Sequence, residues 1–139
     1  MIEIQNTQEC FVLLWRKLER TRRLLHGQCK RFCVRRVLKT WFGPEATDDF
    51  IWEVCHAASL ALQHDDPEAD DVSIYGWDEL PLPSLYPRRH RELLRAIVSV
   101  RLGIGMRKVD LHALDAAYTV AFPGSTPLNV NKKKRSLTP

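Results

Sequence analysis

The sequence predicts an all-α fold: a compact bundle of about five helices, with a long irregular Pro-containing connection between helices 3 and 4 and a flexible basic C-terminal tail. Two observations predict it. Apolar residues recur three and four apart in five segments, the spacing that places them on one side of a helix. Those segments carry helix punctuation, with Asn, Thr, Pro or Asp at a start and Gly or Pro at an end. A chain of 139 residues can bury a core of its own. Its apolar fraction of 45% argues against wholesale disorder. The expected division is a helical domain over 1–123 and a tail over 124–139.

Helix 1 is expected over about 7–26. Asn6 is the candidate N-cap with Glu9 three positions on, the capping-box arrangement. Phe11, Leu14, Leu18 and Leu25 form its apolar side, and Gly27 is its natural stop. Helix 2 is expected over about 28–42, with Cys29, Phe32, Cys33, Val37 and Trp41 on one side and Gly43-Pro44 as terminator. Helix 3 is expected over about 48–63, capped by Thr47, with Asp48 and Asp49 where the helix dipole favours acids. Phe50, Val54, Ala58, Ala61 and Leu62 are its buried side. The acidic HDDPEADD (64–71) and the proline-bearing VSIYGWDELPLPSLYP (72–87) carry no helical period. Helix 4 starts near Pro87, a favourable first-turn residue, and runs to Leu102, where Gly103 and Gly105 break it. Helix 5 starts at an Asp110 cap, packs Leu111, Leu114, Ala117, Tyr118 and Ala121, and ends at Pro123-Gly124.

Charge is segregated along this frame. Residues 1–39 hold ten bases and three acids, 40–87 hold eleven acids and no Lys or Arg, and 88–139 hold eleven bases and three acids. Local fields act over about one Debye length, roughly 8 Å at physiological salt, so this order matters more than the net charge. At helical spacing, Arg16, Arg20 and Arg23 form a stripe on helix 1, Arg31, Arg35 and Lys39 on helix 2, and Arg88, Arg91 and Arg95 on helix 4. Like charges four apart repel by about 0.2–0.5 kcal/mol per pair. Helices 1 and 2 carry almost no interspersed acid to relieve that cost. Arg outnumbers Lys 14 to 7, and Arg forks onto phosphate oxygens. Such faces are expected to meet a polyanion, in preference to neutralising the chain's own acidic segment.

Other chemistries find little support. There is no phosphate-cradling glycine loop, GxSxG, HExxH or calcium loop, so no catalytic residue and no enzyme is expected. His26, Cys29 and Cys33, with Cys55 and His56, lack a zinc-site pattern, so no metal and no cofactor is expected. The four cysteines, in helical patterns without an export signal, are expected to be reduced core thiols inside the cell. Trp15 and Trp41 are candidates for base stacking, although the core is the commoner place for Trp. Lys132, Lys133, Lys134 and Arg135 resemble a minimal nuclear-localisation cluster. The segment 77–87 could dock on a protein partner as an extended peptide, but closing the bundle's core is the simpler use for its apolar residues.

The leading reading is a non-enzymatic intracellular nucleic-acid-binding protein (RNA or DNA), nuclear if the tail acts as an address. It would grip phosphate through Arg16, Arg20, Arg23, Arg31, Arg35, Lys39, Arg88, Arg91 and Arg95. The second reading is an adaptor on an anionic membrane surface or a protein partner, marked by exposed apolar residues beside the stripes. In general plan, a small helical domain with a basic face and a flexible tail, the chain is similar to retroviral matrix proteins. That likeness of architecture implies a viral structural or accessory role.

Overall fold

In a computed structural model, which describes residues 3–65 and 87–125, the chain forms five α-helices and no strand among the described residues. They are α1 (Gln8–Gly27), α2 (Val34–Phe42), α3 (Asp48–Asp65), α4 (Pro87–Leu102) and α5 (Leu111–Ala121). Short 3₁₀ turns at Gly43–Glu45 and Met106–Lys108 precede α3 and α5. The connection between α3 and α4 and the tail beyond Ser125 lie outside the described residues, as do the 77–87 peptide (apart from Pro87) and the Lys132–Arg135 cluster.

Local chemistry sets most helix ends. The amide of Phe50 donates to Thr47 Oγ1 at 3.2 Å, and that of Ala113 to Asp110 Oδ1 at 3.0 Å, so both expected caps are made. At α1 the cap is Thr7, whose hydroxyl accepts from the amide of Cys10 at 3.3 Å, and not Asn6. Asn6 makes a longer link instead: its Nδ2 donates to the Lys108 carbonyl at 2.8 Å, and its Oδ1 accepts from the Asp110 amide at 2.9 Å. The start of α1 is thereby tied to the start of α5.

The second helix is shorter than its apolar spacing suggests, beginning at Val34 and not near 28. The reason is how α1 ends. Cys29 donates to His26 O at 3.0 Å and Lys30 to Leu25 O at 2.8 Å, with Cys29 in the left-handed conformation (φ 55°). This is a Schellman closure with cysteine in the place usually taken by glycine. It reverses the chain and leaves residues 30–33 non-helical. The same closure ends α4 with the expected residue: Gly103 (φ 66°) donates to Val100 O and Ile104 to Ser99 O.

One contiguous core joins the helices. α1 lies along α5 and α3 along α4, with α2 bracing α1 and α3. Phe11, Leu14 and Leu18 of α1, Val37 and Leu38 of α2, Val54 and Ala58 of α3, Leu94 and Ile97 of α4 and Leu114 and Ala117 of α5 are fully buried. Each large aliphatic or Phe among them contributes about 1.5–3 kcal/mol by leaving water. Trp15 and Trp41 belong to this core and are not available for stacking on bases. Trp15 Nε1 donates to Leu114 O at 3.0 Å, and its ring meets Tyr118 edge-on at 4.9 Å. Trp41 Nε1 donates to Thr21 Oγ1 at 2.8 Å.

Candidate nucleic-acid interface

The Schellman closure of α1, the extended residues that follow and the first two turns of α2 enclose a basic groove. The groove has a volume of about 600 Å³, with Lys30, Arg31, Arg35, Arg36 and Lys39 on its walls and no acid among its lining residues. Its floor is Leu25 and Cys33, and Leu24 forms part of the rim. α2 adds to the positive field, because its first turn holds no acid and its N-cap, Cys33, makes no side-chain capping bond. Two of the cations are steered from within the fold. Arg35 NH2 lies 3.0 Å from Asp48 Oδ1, and Lys39 Nζ donates to Ala46 O at 3.2 Å. Both partners of the Arg35–Asp48 pair are largely exposed, so the pair contributes little to stability.

The expected helix 2 stripe of Arg31, Arg35 and Lys39 therefore survives as a cluster but not as a helical row. Arg31 precedes the helix and approaches the others through the reversal. Lys30 and Arg36 join them. Sequence periodicity passed over both, since Lys30 lies off any helix and Arg36 is out of the four-residue phase.

Arg16, Arg20 and Arg23 are exposed along the outer side of α1, as helical spacing predicts. Arg23 Nε lies 3.5 Å from Glu19. Leu13 (58% exposed) and Leu24 (49%) share this side. Where α1 meets the end of α5, Leu13, Arg16, Glu19, Arg20, Arg23, Ala121 and Phe122 border a shallow depression of about 490 Å³.

The helix 4 stripe is corrected by the structure. Arg91 is buried, with Nε 2.8 Å from Glu92 Oε2 and NH1 3.5 Å from Asp115 Oδ2. Arg95 is mostly covered: its NH1 lies 3.1 Å from Glu92 Oε1, and its Nε donates to Met106 O at 3.0 Å. Arg88 is half-buried. Arg91 and Arg95 face inward because buried Glu92 pairs with both and buried Asp115 pairs with Arg91, neutralising them there. A signal was present in the sequence: Asp115 interrupts the apolar LHALDAAY, and an acid on a buried helix side calls for a cation.

No protein-family model, curated protein or solved structure matches this chain. Among the described residues no three His, Cys, Asp or Glu side chains group as metal ligands. Of the cysteines, Cys10 and Cys55 are buried, Cys33 is half-buried, and Cys29 is exposed in the reversal, contrary to the expectation of four core thiols. No described helix is long and apolar enough to cross a membrane.

Proposed function

We propose that this protein is a non-enzymatic nucleic-acid-binding protein that holds a phosphate backbone in the groove between the end of α1 and α2. The observation that carries the reading is five cations around one concavity without an acid on its walls. Three of them are arginines, whose planar forks accept phosphate oxygens two at a time. Concavity favours a strand over a flat surface, because a strand entering the groove meets both walls at once. The Arg16–Arg20–Arg23 side of α1 leads away from the rim at Leu24 and extends the positive track. Contact of this kind reads charge and shape more than base identity. The proposal carries an intracellular location with it.

Fluorescence anisotropy on single-stranded RNA, single-stranded DNA and duplex DNA of equal length tests the reading across a salt series. If five duplex phosphates are neutralised, log K falls with a slope near −4.5 against log salt, at about 0.9 per phosphate. The double change Arg31→Glu and Arg36→Glu should abolish binding while the helical circular-dichroism signal stays. Undiminished binding by that folded variant would remove the groove from the mechanism.

A further inference from the structure

Two outer helix faces expose large apolar residues, and their charges are opposite. On α1, Leu13, Arg16, Arg20 and Leu24 fall within a sector of about 80° at 100° per residue, and all four are exposed. On α3, Asp49, Trp52, Glu53, His56 and Leu60 fall within a sector of about 100°, and all five are exposed. Trp52 is 56% exposed and Leu60 52%, and the Trp52 ring stacks on His56 at 4.6 Å. That stacking fixes the exposed Trp52 ring against the residue one turn further along the helix. Each stripe carries two large exposed apolar residues among charges of one sign, about 16 Å apart along α1 and about 12 Å apart along α3.

We infer that these two faces bind each other between copies of the chain, α1 of one copy against α3 of the next. Leucines meet the Trp52–Leu60 strip, while Arg16 and Arg20 meet Asp49 and Glu53. Within one copy α1 lies chiefly along α5 and α3 along α4, so the two faces belong to different helix pairs. A second copy is favoured over an anionic membrane because it accounts for both surfaces. A membrane suits the arginines of α1 but repels the acids beside Trp52. With one such contact between each pair of copies the interface is heterologous, adding further copies in a row or a closed ring. It involves few residues and belongs with small, transient interfaces.

Sedimentation velocity on nucleic-acid-free protein tests this over a range of about 10 μM to 1 mM, suited to weak contacts. The mean mass should rise with concentration without stopping at a dimer, and rise less at high salt, where the ion pairs are screened. Leu13→Glu and Trp52→Lys change exposed sites. Each should weaken association at least about tenfold, as loss of an anchoring side chain does. Each variant keeps one intact face. Mixed in equal amounts, the two should form a one-to-one dimer that grows no further, with helical content unchanged. Wild-type protein that stays monomeric across the range overturns the inference. So does a defined dimer that the mixed variants fail to restore, since that contact would join like patches. A monomer whose binding to phosphatidylserine vesicles is lost in Leu13→Glu alone assigns the α1 face to a membrane and also overturns it.

Discussion

Replacing Glu92 by Gln should destabilise this protein far more than a single surface charge change does, and the reason is geometric. Glu92 is fully buried, and each carboxylate oxygen is committed: Oε2 to Arg91 Nε at 2.8 Å, Oε1 to Arg95 NH1 at 3.1 Å. An amide has one acceptor and one donor. Whichever way the substituted amide is turned, its NH₂ points at a guanidinium N–H. One charge-assisted bond is lost outright, at about 1.5–3 kcal/mol, and the buried cluster gains net positive charge. Arg91 keeps Asp115, but at 3.5 Å. Breaking a buried pair from one side costs about 3–5 kcal/mol, and a value near 3 is expected because Asp115 remains. At roughly 3 °C per kcal/mol for a chain of this size, Tm falls by about 10 °C. Urea denaturation followed by circular dichroism measures the change, with an unaltered m value showing that the unfolded state is the same. A cycle with Arg91→Met should give a coupling above about 1 kcal/mol. If Glu92→Gln unfolds within about 1 kcal/mol of the parent, the buried cluster is not holding these arginines, and Arg91 and Arg95 return to the surface as the bare sequence suggests.

Further outcomes follow from the same structure. Gly103→Ala should cost about 1 kcal/mol, because Gly103 sits at φ 66° in the closure of α4 and open space around its Cβ cannot relieve the backbone. Gly27→Ala should leave stability equal or higher, since Gly27 ends α1 without a left-handed φ and the left-handed residue is Cys29; a loss above about 1 kcal/mol in urea would contradict the closure described. In the folded chain a maleimide should modify Cys29 first and Cys33 more slowly, with Cys10 and Cys55 protected until denaturant is added; mass spectrometry at early times decides the order. Burial raises the Tyr118 hydroxyl above its ordinary value of 10.0, partly opposed by a hydrogen bond with Ser125. The unfolded chain loses that proton first, so this contribution is intact below pH 10.0 and shrinks as pH rises through the higher folded value. Tyr118→Phe should flatten that decline in stability, and an unchanged slope would exclude Tyr118 as its source.

What the sequence determined by itself is what neighbouring residues decide. Thr47, Pro87 and Asp110 mark the starts of α3, α4 and α5, and Gly103 the end of α4, because a cap or a left-handed turn is satisfied within a few residues. Apolar spacing likewise picked out Leu14, Val54 and Leu114 as core, since a helix brings such residues to one side wherever it lies. Tertiary structure decided the rest. The start of α2 depended on Cys29 taking a conformation that Gly27 looked better suited to, a choice made by the chain reversal and not by propensity. Arginines at three- and four-residue spacing occur in both α1 and α4, yet one row is exposed and the other runs into a buried cluster. Periodicity tells which residues share a face. It does not tell which face another helix will cover, and for Arg91 that was settled by Asp115, 24 residues away on α5. The basic groove has the same origin: Lys30 and Arg31, off any helix, reach Arg35, Arg36 and Lys39 only because the reversal after α1 folds them back against α2.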